Sequence, residues 1–170
     1  SLKYSPFPGT VSKNQPLRFN IDPHLTYYDG SGNRHKLLSR YLKVENRVSN
    51  GRSNFSEQYY LEYQFQRNIK AIDLNVTAGA VYIGSDVEAE LYGDTTFHSR
   101  NLATYIDFEK RFGTKLTVSA GFRYESNLIN NPGFTYPGGV VEPSQEKEAK
   151  PVLRLGANYQ IGDYSFLRAS

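Results

Sequence analysis

The chain has 170 residues, a mean hydropathy of −0.59, and 14 Tyr and 10 Phe with no Trp, so it is polar overall yet rich in rings. The absence of Cys excludes disulfide scaffolds, thiolate metal sites and thiol nucleophiles, and a net charge of +3 is too small and too evenly mixed to indicate nucleic acid. The longest apolar run, near Ala78–Ile83, is broken at Gly84 and Ser85, so no helix can cross a bilayer. With no initiator Met, no basic-then-apolar leader and no cleavage site, the sequence reads as an excerpt without a targeting segment.

Two-residue alternation dominates from there on. Leu17, Phe19, Ile21, Pro23, Leu25 and Tyr27 alternate with Arg18, Asn20, Asp22, His24 and Thr26, which predicts a first strand. Asp29–Asn33 supplies two glycines and an Asn for a turn into a segment over about 35–48 whose register is ambiguous. A second hairpin joins Tyr59, Leu61, Tyr63 and Phe65 to Ile72, Leu74, Val76, Ala78, Ala80 and Tyr82. A third joins Leu102, Thr104, Ile106 and Phe108 through 112–114 to Leu116, Val118, Ala120, Phe122 and Tyr124. A fourth begins with Pro151, Leu153, Leu155, Ala157 and Tyr159 and turns at 161–163.

No helical period competes, apart from a turn or two near 87–92. The connections are short near 29–33, 67–71, 112–114 and 161–163 and longer near 49–57, 84–100 and 126–149. This predicts an all-β, antiparallel up-and-down meander of about eight strands in one unit spanning 1–170, with tight turns at one end and long loops at the other.

Such strands can turn their apolar face into a soluble core or outward to lipid. No position on the apolar registers above carries a charge, which both arrangements require. The opposite face is mixed and small, with Gln58, Gln64, Asn75, Thr77, Gly79, Thr117, Ser119, Gly121, Gly156 and Asn158, which suits a crowded polar lumen. Tyr27, Tyr59, Tyr82, Tyr124 and Tyr159 end the apolar registers, where rings can touch hydrocarbon while hydroxyls reach headgroups. Segments of about ten residues, Gln58–Arg67, Ile72–Tyr82 and Lys115–Glu125, match a tilted membrane crossing. The expectation is a transmembrane β-barrel in an outer membrane.

The stretches Tyr28–Lys43 (YDGSGNRHKLLSRYLK), Tyr59–Asn68 (YYLEYQFQRN), Ala89–Asp94 (AELYGD), Lys110–Glu125 (KRFGTKLTVSAGFRYE) and Lys150–Ser170 (KPVLRLGANYQIGDYSFLRAS) resemble the barrel domain of TonB-dependent outer-membrane receptors. The resemblance covers the chain from Leu17 onward and implies a sector of a 22-stranded wall around a plug domain. It also implies import of a scarce nutrient with energy supplied through TonB. This chain shows no TonB box, plug or terminal aromatic strand, so the implied partners are outer-membrane lipid, the remaining strands and plug, and TonB only through that plug. A small eight-stranded structural or adhesive barrel and a soluble β-sandwich binding module are the alternatives.

No enzyme chemistry and no cofactor are expected. His24 and His35 could approach across the first hairpin, but neither they nor His98 show metal-ligand spacing. Asp86, Glu88, Glu90 and Asp94 are acidic without calcium-loop order. Ser39, His98 and Asp94 form no triad that a sequence can fix, and Gly30–Gly32 reads as a hairpin turn rather than a phosphate loop because no helix follows it. Under the receptor reading, ligand contacts are expected from lumen-facing groups near the long-loop end: Gln58, Tyr60, Glu62, Arg123, Glu125 and Arg154, together with the loops at 84–100 and 126–149.

Overall fold

A computed structural model describes residues 12–93 and 95–170. The strands are β1 (Asn14–Ile21), β2 (His24–Tyr28), β3 (Arg34–Val48), β4 (Asn54–Ile69), β5 (Leu74–Ala89), β6 (Thr95–Phe112), β7 (Leu116–Asn131), β8 (Phe134–Tyr136), β9 (Gly139–Val141), β10 (Ser144–Gly162) and β11 (Ser165–Ala169). All but β8 and β9 form one nine-stranded antiparallel sheet in the order β1-β3-β4-β5-β6-β7-β10-β11, with β2 also on β3. Among the described residues its two edges are not joined to each other, so the sheet is open.

The first predicted strand is interrupted. β1 pairs with Tyr41–Val48 and β2 with Arg34–Leu38 of the same β3 edge, so the two are halves of one strand. Pro23 has no N–H for a ladder, while its carbonyl still accepts the Ser39 N–H at 3.0 Å. Counting β1 and β2 as one position leaves the expected four hairpins. The pairing also fixes the ambiguous register: His35, Leu37, Ser39 and Tyr41 share the apolar face with Phe65, Tyr63, Leu61 and Tyr59.

The strands are longer than their apolar patterns. β4, β5 and β7 each have 16 residues and β6 has 18, where about ten were expected. The expected loops at 84–100 and 126–149 are therefore mostly strand, and that at 49–57 is strand from Asn54 onward. Their irregular parts shrink to a turn near 49–53, a 3-10 turn at Glu90–Tyr92, and a connection after Asn131 that holds the small β8–β9 hairpin. Apolar alternation stopped short of the strand ends because pairing continues after the chain leaves the band that selects apolar side chains.

Two connections share one device. A 3-10 turn at Lys70–Ile72 ends in Asp73 at φ 48°, and the one at Glu90–Tyr92 ends in Gly93 at φ 70°. In each, the left-handed residue donates its N–H to the first carbonyl of the turn. At the turn before β3, Asp29 caps the backbone N–H groups of Ser31 and Asn33, both at 2.9 Å, and accepts the Asn33 side-chain amide at 2.7 Å. These bonds hold the Asp29 carboxyl at about 2, below its ordinary 3.8, with Asn33 the largest cause.

Among the described residues no dry core lies on either face. Among the described residues the only buried hydrophobic side chains are Val81 and Ala103, and both lie on the polar face. Along the central strands the usual exposure pattern is inverted. Leu61, Leu102, Phe122 and Tyr124 are exposed, whereas Glu62, Arg123 and Glu125 beside them in sequence are half-buried and Ala103 is buried.

Candidate functional site

The register gathers the apolar positions into one uncovered band. It contains Leu37 and Tyr41 on β3, Tyr59–Phe65 on β4, Val76–Tyr82 on β5, Leu102–Phe108 on β6, Val118–Tyr124 on β7 and Pro151–Tyr159 on β10, each at alternate residues. Leu153 and Leu155 are 78% and 71% exposed. Leaving such side chains in water forgoes about 1.5–3 kcal/mol apiece, so a cover of some kind has a large energetic advantage.

The band has charged limits and runs obliquely. On the long-loop side it ends at Lys43, Glu57, Asp86 and Arg100 on β3 to β6. On the tight-turn side it ends at His35, Arg67 and Lys110. His35 is level with Phe65 on β4, Arg67 lies two residues further along, and Lys110 is level with Leu74 and therefore with Ile69. The boundary thus drifts steadily toward the tight turns from strand to strand, as a flat slab would mark strands that cross it at a tilt. Tyr27, Tyr59, Tyr82, Tyr124 and Tyr159 all lie on this face and are all exposed.

The other face carries all six expected contact residues. Tyr105 donates to Glu62 Oε1 at 2.5 Å, Tyr60 donates to the same carboxylate, and Gln64 Nε2 donates to Tyr105 at 3.1 Å. Arg34 extends this network to β3 through Gln64 Oε1 at 3.3 Å. Arg123 pairs with Glu125 on β7. Gln58 stands next along β4 from Tyr60, opposite Leu42 and Ser85. Arg154 departs from the group: it is opposite Gly121, level with Asp107, and nearer the tight turns than the long loops. The sequence reading missed Tyr105, whose signal was its polar-register position opposite Gly79.

Beyond the band, on the long-loop side, polarity reverses on both faces of β3 to β6. The face continuous with the apolar band becomes charged, with Lys43, Glu45, Glu57, Asp86, Glu88 and Arg100. Asp86 lies 2.7 Å from Arg100 Nη1 and 2.8 Å from His98 Nδ1, and Arg100 foremost, then His98, holds its carboxyl below the usual carboxylate range. The polar face loses its charges from the row Leu42–Gln58–Ser85–Ser99–Ile129 outward. Phe97 on this face meets Tyr92 at 6.1 Å and Phe134 at 6.2 Å between ring centroids, and Phe134 meets Tyr92 at 5.0 Å. The β8–β9 hairpin is thereby anchored to the polar face of the sheet. A second tie joins the neighbouring turns, where Ser53 N–H donates to Glu90 Oε2 at 3.0 Å and Glu90 N–H to Ser53 O at 3.0 Å.

The structure also separates several residues that the sequence could have grouped. His24 lies level with Leu38 on the polar face and His35 with Tyr27 on the apolar one, so they do not converge. Among the described residues no cluster of three His, Asp or Glu side chains could hold a metal. Asp94 lies outside the described residues. Ser39 and His98 are on strands separated by β4 and β5. Gly32 donates to Asp29 O at 2.9 Å in a turn that enters β3, so Gly30–Gly32 forms a hairpin connection. Comparison with family models, curated proteins and solved structures finds no match for this chain.

Proposed function

We propose that the chain is a wall segment of an outer-membrane transporter barrel, with its apolar band against lipid and its polar face toward a lumen. The observation that carries this reading is the inverted exposure of the central strands: bare Leu61, Leu102 and Phe122 beside half-buried Glu62, Arg123 and Glu125. A soluble sandwich needs a second layer over the apolar face, and among the described residues none covers it. Closed spanning barrels satisfy every backbone group between strands, so the open edges at β1–β2 and β11 would pair with further strands of a larger wall. Import of a scarce nutrient with energy supplied through TonB, acting on a plug, follows from the resemblance of the hairpin sequences.

The test is assembly of the full chain. Refolding should require detergent or lipid vesicles and give β-rich circular dichroism only in their presence. A monodisperse, folded species in plain buffer would overturn the reading.

A further inference from the structure

We infer that the lumen-side mouth recognises an uncharged polyhydroxylated ligand, a neutral oligosaccharide; this rests on the wall reading above. Three observations on the long-loop side converge. First, from the Leu42–Ile129 row outward, the lumen-side positions of β3 to β7 hold Asn, Gln, Ser, Thr and apolar residues but no charge, while the opposite face of β3 to β6 is densely charged. A carboxylate or ammonium ligand would find no counter-ion on this stretch of wall, and its desolvation would go uncompensated.

Second, the available polar groups suit hydroxyls. Amide side chains both donate and accept, as sugar hydroxyls do; Asn46, Asn54 and Gln58 sit on this side, and Asn101 lies just inward of them, level with Tyr60. The Oδ1 atoms of Asn46 and Asn101 are buried without a hydrogen-bond partner among the described residues. Buried polar atoms are normally satisfied, and a hydroxyl donor would satisfy these.

Third, the wall carries an aromatic shelf. Phe97 and Phe134 pack together, and Tyr92 and Tyr136 beside them remain 42% and 47% exposed. Exposed ring faces offer apolar contact to the C–H faces of pyranose rings while amides address their rims, the division of labour seen in pockets with a few placed polar groups. The adjoining charges lie at the margins: Arg18 on β1, Glu146 and Glu148 on β10, Arg40 in the row inward of Leu42, and Glu90, which is bonded to Ser53 in the turn before Tyr92.

The experiment uses the full chain refolded into lipid vesicles, titrated with maltoheptaose and cellohexaose as neutral probes and with hexagalacturonate as the anionic one, followed by calorimetry. A neutral probe should bind with an affinity indifferent to salt, because no ion pair is screened. Asn54→Ala, at an exposed position that does not disturb packing, should weaken it by about tenfold, and Phe97→Ala by at least as much. Tighter binding of hexagalacturonate, strong salt dependence, or no saturation by either neutral probe in chain that is β-rich and vesicle-bound would overturn the inference and leave the wall reading standing. Chain that folds without amphiphile would overturn both.

Discussion

Tyr105 lies across Gly79 on the neighbouring strand: a Cβ added to that glycine would sit 2.6 Å from Tyr105 Cζ and from its hydroxyl. The two residues are directly opposite in the β5–β6 register. The glycine costs strand stability in itself, but its missing side chain lets the ring lie flat and reach Glu62 on β4, two strands from its own. Gly79→Ala should therefore displace the ring and destabilise the sheet by about 1–3 kcal/mol. Combined with Tyr105→Ala, the same change should cost far less, since the clash is gone. Urea titrations of both single variants and the double variant in vesicles measure the coupling, and additive effects would contradict the packing described.

The exposed apolar band gives a sidedness prediction. Leu155 is central to the β10 part of the band and 71% exposed, whereas Asn158 is on the polar face opposite Thr117. Leu155→Arg should lower membrane stability by about 2–4 kcal/mol. Asn158→Arg should be tolerated. Vesicle-assembly yields compare the two, and equal loss from both would contradict a lipid-facing band.

Asp73 occupies a left-handed conformation that costs a residue with a Cβ more than it costs glycine. Its counterpart in the other 3-10 connection is already Gly93. Asp73→Gly should stabilise the β4–β5 hairpin by up to about 1 kcal/mol, and Gly93→Asp should destabilise the β5–β6 hairpin. Unfolding midpoints of the two variants should move in opposite directions.

The Asp29 turn predicts an acid limb. Its carboxyl is held at about 2 in the folded chain, below the 3.8 of an unconstrained Asp. The stabilisation it provides is present above 3.8 and is lost as pH falls from there toward 2, because the unfolded chain takes up the proton first. Asp29→Ala should remove this part of the pH dependence. Protection of the Ser31 and Asn33 amides from hydrogen exchange, measured against the intrinsic rate at each pH, should fall over the same interval in the unaltered protein, where both donate to Asp29, and be low at every pH in the variant.

Much of this protein was legible in one dimension because a sheet with one apolar face writes a period of two directly into the chain. That period alone supplies the central strands, their hairpin order, the tyrosine rims and the polar register holding Gln58, Tyr60, Glu62, Arg123, Glu125 and Arg154. It fails where the selecting environment changes: past Glu57, Asp86 and Arg100 neither face keeps its character, so the outer thirds of β4 to β7 read as loops. Pairing between strands was needed to show those segments as strand, to split the first strand at Pro23, and to place His24 and His35 on opposite faces. Only the three-dimensional arrangement could bring Tyr105 from β6 to Glu62 on β4 and leave the apolar side bare, since exposure depends on which neighbours curve toward a residue and not on what it is.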